Sequence, residues 1–119
     1  MLVWLGVLLA GGAGAVLRFL VDGAVARRAA RSFPFGTLAV NISGAALLGL
    51  LGGLALSRHV ALVADTAFVG SYTTFSTWML ETQRLSEERQ LRGAVANIGV
   101  SIVLGLAAAL CGQWIAGRL

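Results

Sequence analysis

The fold is decided by the stretch over residues 93–117, GAVANIGVSIVLGLAAALCGQWIAG, which contains no charged residue. A helix needs about 20 apolar residues to cross the hydrocarbon core of a bilayer, so this stretch is long enough to span it. Three more charge-free runs precede it, at residues 1–17, 32–57 and 66–80. Because every backbone polar group in lipid must be paired internally, such runs predict helices.

The composition agrees with a membrane environment. Hydrophobic residues make up 58% of the 119-residue chain, charged residues only 12%, and the mean hydropathy is +0.87. Soluble domains carry about twice that share of charged residues. The sequence therefore predicts an all-α integral membrane protein, a single domain over residues 1–119 with four transmembrane helices at 2–26, 34–56, 60–84 and 90–115.

The basic residues do not form a nucleic-acid-binding surface. All nine are arginines, the net charge is +4, and most of them fall between the spans instead of on one soluble face. Loop arginines set membrane orientation, which favours a cytoplasmic position for the first and third loops. Six arginines lie in those two loops: Arg27, Arg28, Arg31, Arg84, Arg89 and Arg92.

Small residues recur every four positions along the predicted spans. In membrane helices they allow close backbone approach and form the packing surfaces. Four short helices have too little surface to bury all these faces and also enclose a path, so we expect a dimer. The stripes are Gly6, Ala10 and Gly14; Ala45, Gly49 and Gly53; and Gly93, Asn97, Ser101, Gly105 and Ala109.

The third span contains a polar run, GSYTTFSTW, from Gly70 to Trp78. At helical rise this run lies about 15 to 22 Å from the start of the span, in the middle of the membrane. Hydroxyl and glycine residues there predict an interrupted helix, and irregular backbone at that depth must be buried or line a wet cavity. Its free carbonyls are suitable cation ligands. The alternative is that the hydroxyls bond back to their own helix.

Amides, hydroxyls and aromatic rings share one half of the membrane. Measured from the side of the first and third loops, they lie roughly 9 to 16 Å deep at helical rise. Ring edges are electropositive and an amide NH2 has two donors, so the set can replace the water around a small anion. Taken singly, each residue is typical of packing; together they predict a pore. The candidates are Asn41, Phe75, Trp78, Asn97 and Ser101, with the hydroxyls of Ser76 and Thr77.

Charged groups inside the spans leave two interpretations open. Arg18 either draws anions into a vestibule or anchors the first helix at the interface. Glu81 either pairs with an arginine or lies in the same vestibule. We expect no catalysis, because the only histidine, His59, lies in a loop and no nucleophilic or metal-ligand grouping exists.

Three segments resemble one known family. The segments are GAGAVLRF at residues 12–19, FPFGTLAVNISG at 33–44 and GSYTTFSTW at 70–78. They resemble the Fluc, or CrcB-type, family of fluoride channels, and the resemblance covers essentially the whole chain. It implies passive, selective export of toxic fluoride from the cytoplasm through a multi-pass protein of the cell membrane.

The resemblance also implies an assembly and a set of site residues. The assembly is an antiparallel dimer in lipid with two fluoride pores and a central Na+ that is structural and not transported. Backbone carbonyls of Gly70 and Thr73 hold this Na+. Phe75, the aromatic residue at 78 and Asn41 line the pores, and Arg18 belongs to the vestibule.

The chain departs from the family pattern at two points. Trp78 stands where the family commonly has a second phenylalanine. The arginine asymmetry indicates one fixed orientation, so the dimer is either a homodimer or a heterodimer with an oppositely oriented homologous subunit.

Outside the family, a small four-helix multidrug or cation exporter is the main alternative, and a non-transporting assembly subunit is another. An exporter needs a carboxylate deep in the membrane, and Asp22 and Asp65 lie near span ends.

Overall fold

The computed structural model describes residues 1–29 and 33–119, and these residues form helices joined by short turns. The prediction of an all-helical chain is confirmed for them. Arg31, counted above among the loop arginines, lies outside these ranges. The helices are α1 (Leu2–Ala29), α2 (Phe35–Gly53), α3 (Arg58–Ala61), a π-helical segment (Leu62–Val69), α4 (Gly70–Tyr72), α5 (Ser76–Glu87) and α6 (Leu91–Ala116).

Three of the described helices, α1, α2 and α6, are long and apolar enough to cross a membrane. The molecule measures 48 Å along its longest axis, which exceeds the about 30 Å of a hydrocarbon core. Most of their apolar side chains point outward, where lipid tails and not water would surround them.

The helix ends differ from the predicted spans by a few residues. Helix α1 continues to Ala29, beyond the predicted end at 26. Helix α2 ends at Gly53, before the predicted end at 56, because Ala55 adopts a left-handed backbone with φ 54°. Helix α6 is shifted by one residue at each end relative to 90–115.

The third predicted span, 60–84, is divided into shorter pieces. Helix α3 begins at Arg58, because the Ser57 hydroxyl accepts a hydrogen bond from the Val60 N–H at 3.4 Å. The π-helical segment then leads directly into α4, and α5 starts only at Ser76. The sequence analysis did not predict the π-helical geometry, which inserts extra residues into a helix and is common at functional sites.

Glycines set how closely the helices pack. A Cβ atom on Gly49 would overlap the Ala109 carbonyl, and one on Gly112 would overlap the Ala46 carbonyl. These two contacts hold α2 against α6, the largest interface between helices. On the other side of the molecule, Gly14 of α1 lies directly on the carbonyl of Phe68. Gly14 and Gly49 belong to the predicted stripes, so part of each stripe serves packing within the chain.

We predict that Gly112→Ala destabilises the fold, by about 1 to 3 kcal/mol, because the new methyl group has no room against Ala46. Gly93→Ala, in the same helix, is the matched control, since the nearest atom to its missing Cβ belongs to Leu85 and lies 3.6 Å away, at ordinary van der Waals distance. Thermal unfolding in detergent, followed by circular dichroism, compares the two variants. Equal midpoints for both would contradict the packing described here.

Candidate functional site

The backbone leaves helical geometry between α4 and α5. Thr73 is extended, with φ −82° and ψ 164°, and regular helix resumes at Ser76. The Thr73 hydroxyl and N–H both donate to the Val69 carbonyl, each at 3.0 Å. The Thr74 hydroxyl accepts from the Thr77 N–H at 3.2 Å. Each side of the break is therefore closed by a threonine hydroxyl.

Helix α2 holds the break in place through Asn41. The Asn41 side-chain NH2 donates to the Thr74 carbonyl, and its oxygen accepts from the Thr74 N–H, both at 2.9 Å. An amide NH2 has two hydrogens, so one donor of Asn41 remains for another acceptor. A Ser43–Tyr72 hydroxyl pair at 2.8 Å adds a second link between α2 and this region.

These hydrogen bonds redirect two backbone donors. In a continuous helix, the Thr74 N–H would donate to the Gly70 carbonyl and the Thr77 N–H to the Thr73 carbonyl. Here the Thr74 N–H donates to Asn41 and the Thr77 N–H to the Thr74 hydroxyl. The carbonyls of Gly70 and Thr73 thereby lose their regular helical donors.

Two aromatic rings and Asn41 line a cavity of about 310 Å³ beside the break. The rings of Phe75 and Trp78 meet edge to face, with centroids 5.7 Å apart and planes at 70°. Phe75 is 70% exposed, and Thr73 and Thr74 complete the polar part of the wall. The predicted residues Asn41, Phe75 and Trp78 are thus brought together around one space.

Arg18 lines a separate recess of about 200 Å³. Asp22, one turn along α1, and Thr37 of α2 line the same recess, together with Thr74 and Thr77. Thr74 is part of both walls, so the two cavities lie on either side of this residue at the break. Asp22, which was expected only near the end of a span, thus brings a carboxylate into the same recess as Arg18.

Asn97 and Ser101 lie one turn apart on α6 and do not themselves line the aromatic cavity, although the Asn97 backbone carbonyl accepts a hydrogen bond from the Trp78 indole at 3.1 Å. Asn97 is fully buried and donates to the Thr82 hydroxyl at 2.9 Å. Its oxygen and the Ser101 hydroxyl have no hydrogen-bond partner among the described residues. Ser76 is exposed at the start of α5. The predicted pore roles of these residues stay predictions.

Three threonines matter here that the sequence analysis did not single out. Thr74 lines both cavities, Thr82 bonds to Asn97, and Thr37 is 2% exposed in the wall of the Arg18 recess. Thr82 lies one helical turn after Trp78, a spacing that is visible in the sequence. The Thr74–Asn41 pairing spans 33 positions and left no local signal.

Taken together, the fold and the site define a multi-pass helical membrane protein with small cavities beside a break in one helix. The chain belongs to the CrcB-like family: a family model described as "CrcB-like protein, Camphor Resistance (CrcB)" matches residues 5–113. This confirms the resemblance found in the sequence and assigns the chain to the cell membrane.

Curated relatives cover nearly the whole chain. The chain is 76% identical over 114 residues to "Fluoride-specific ion channel FluC 2" of Mycolicibacterium paratuberculosis, covering 96% of this chain and 93% of the relative. It is 72% identical to the protein of the same name from Mycobacterium tuberculosis, covering 96% and 90%. It is 46% identical over 115 residues to "Fluoride-specific ion channel FluC 1" of Rubrobacter xylanophilus, covering 92% and 93%.

Proposed function

We propose that the chain forms a fluoride-selective channel that lets fluoride leave the cytoplasm down its gradient. The observation that carries the proposal is the cavity that the rings of Phe75 and Trp78 line together with Asn41. The high identity to proteins named fluoride-specific ion channels supports the same activity.

The chemistry of this cavity suits a small anion. An anion that leaves water needs replacement donors, because burying an unpaired charge is very costly. Asn41 keeps one amide hydrogen after bonding to Thr74, and the ring edges of Phe75 and Trp78 are electropositive. Among the described residues, no carboxylate lines the cavity, so an anion there is not repelled by a negative side chain.

The recess at Arg18 is the proposed entrance. A guanidinium raises the local concentration of anions, and Asp22 in the same wall keeps that attraction moderate. From the recess an anion passes the hydroxyls of Thr74 and Thr77 to reach the aromatic cavity. Binding along such a path must be strong enough for entry and weak enough for release.

A multidrug or cation exporter is less well supported. A cationic substrate needs a carboxylate at its binding site, and among the described residues no carboxylate lines the aromatic cavity; Asp22 lies only in the entrance recess. Asp22 and Glu81 line one recess at the loop end of α1, and Asp65 lines another beside Arg58. The named relatives are ion channels, which also disfavours the exporter.

The active form we propose is a dimer of oppositely oriented copies, or of this chain and a homologous subunit. Several glycines, one of them in a packing stripe, make no close contact within one copy. No atom lies within 4 Å of the missing Cβ of Gly12, Gly52, Gly99 or Gly105. Gly99 borders an apolar recess of about 600 Å³ on α6. A second copy would bury such surfaces, which membrane helices use for close association.

A structural Na+ at the dimer centre is a further part of the proposal. Gly70 and Thr73 fit this role because the donors that normally satisfy their carbonyls are engaged by Asn41 and Thr74. Gly70 is also exposed, and the nearest atom to its missing Cβ is 4.0 Å away, so a partner has room to approach. Two carbonyls are too few for a hard cation, and two copies would supply four.

Fluoride release from liposomes that contain only the purified chain tests the function. We expect fast release measured with a fluoride electrode and little chloride release in parallel vesicles. Release would also establish that one kind of subunit suffices. If release occurs only after co-expression with a homologous partner, the heterodimer is correct. Absence of release in both preparations would overturn the proposed function.

A further inference from the structure

The indole of Trp78 lies between the aromatic cavity and α6. Its N–H donates to the backbone carbonyl of Asn97 at 3.1 Å, while its ring meets the Phe75 ring at the cavity. An indole nitrogen is a donor only and has a single hydrogen. With this hydrogen engaged by α6, the cavity is offered the carbon-bound part of the ring.

A threonine one turn further along α5 fixes this arrangement. The Thr82 hydroxyl donates to the Trp78 carbonyl at 2.9 Å and accepts from the side-chain NH2 of Asn97 at 2.9 Å. The same NH2 lies 3.5 Å from the Trp78 carbonyl. Asn97 is fully buried, so these bonds form without competition from solvent. Thr82 therefore links the backbone that carries Trp78 to the residue that receives its indole hydrogen.

We propose that Thr82 is a positioning residue that acts through Asn97 to keep the Trp78 N–H away from the ion path. This inference rests on the proposed function and deepens it. A free N–H at the cavity is a strong donor for any halide, whereas ring edges are weak donors. Weak, closely fitted contacts suit a site that must both strip water from a small anion and release it. Thr82 thus favours fast, selective passage.

The first test compares Thr82→Val with Thr82→Ser. Valine keeps the shape of threonine but removes the hydroxyl, and serine restores the hydroxyl. Thr66→Val, at an exposed threonine of the π-helical segment on the other side of the break, is the matched control. We expect Thr82→Val to slow fluoride release by about tenfold and to raise chloride release, whereas Thr82→Ser and Thr66→Val behave like the parent. Unchanged release in Thr82→Val would overturn the proposal.

A second measurement reads the indole directly. In a chain with Trp4→Phe and Trp114→Phe, Trp78 gives the single indole N–H resonance in a nitrogen-15 NMR spectrum. We expect this hydrogen to be protected from exchange in the parent and in Thr82→Ser, and to shift and exchange in Thr82→Val. An unchanged resonance would overturn the proposal. Because this readout does not need ion flux, it separates failure of the positioning role from failure of the channel function.

A double variant shows whether Thr82 acts through the indole hydrogen. Trp78→Phe removes that hydrogen while keeping an aromatic edge. In the Trp78→Phe background, we expect Thr82→Val to have no further effect on release, and a further tenfold loss would overturn the proposal. Thr82→Cys, which keeps only a weak donor, replaces the valine variant if circular dichroism shows that Thr82→Val does not fold.

Discussion

Replacing Phe75 with isoleucine is expected to abolish fluoride release while leaving the assembly intact. Isoleucine fills similar space but has no electropositive ring edge to offer a dehydrated anion. Phe75 is 70% exposed at the cavity, so little packing within the subunit depends on it. If the Phe75 ring stabilises the passing anion by about 2.8 kcal/mol, losing this stabilisation makes release about 100-fold slower. The fluoride electrode measures release, and chemical crosslinking in membranes measures assembly.

The matched control is Phe68→Ile. Phe68 stacks on Tyr72, with centroids 6.3 Å apart, and does not line the aromatic cavity. This variant should release fluoride at the parent rate. Normal release by Phe75→Ile would defeat the role assigned to its ring, and equal losses in both variants would indicate a general packing defect instead.

Exchange of Na+ for N-methyl-D-glucamine is expected to remove both fluoride release and a large part of the stability of the assembly. A ligand present at 100 times its Kd stabilises the bound state by about 2.7 kcal/mol, so the unfolding midpoint should rise clearly with Na+. N-methyl-D-glucamine is much larger than Na+ and should not replace it between the carbonyls of Gly70 and Thr73. Thermal unfolding in the two salts at equal ionic strength checks this.

Asn41→Leu is the variant that connects this Na+ response to the break. Leucine cannot accept the Thr74 N–H, so that donor can return to the Gly70 carbonyl and remove a ligand. We expect the variant to lose the Na+-dependent midpoint shift together with release. A parent chain that behaves alike in both salts, or an Asn41→Leu variant with the full Na+ response, would contradict a sodium site at these carbonyls.

The sequence predicted the helices well because lipid imposes a strong length requirement on them. Charge-free runs located α1, α2 and α6 to within a few residues. The polar run also pointed to the right part of the third span. The C-terminal end of α2 was not predictable, because it depends on a single left-handed residue, Ala55. The π-helical segment was not predictable either, because it packs against α1, which is distant in sequence.

The candidate site was predictable only where its residues follow from depth and residue type. Asn41, Phe75 and Trp78 were found in this way, and they line one cavity. The double pairing of Asn41 with Thr74 was not, because it joins residues 33 positions apart. The neighbouring charges of Arg18 and Asp22 were visible as a helical spacing, but not their shared recess.

The π-helical segment Leu62–Val69 makes the length of the chain before the break important. A π turn is an α turn that has gained a residue, and each residue rotates a helix by about 100°. Deleting one residue, such as Ala64, would turn Gly70 away from its present direction relative to Arg58, while Gly14 still holds α1 on Phe68. We therefore expect a deletion between Ser57 and Gly70 to disturb the break more than an exchange of one apolar side chain for another in the same segment.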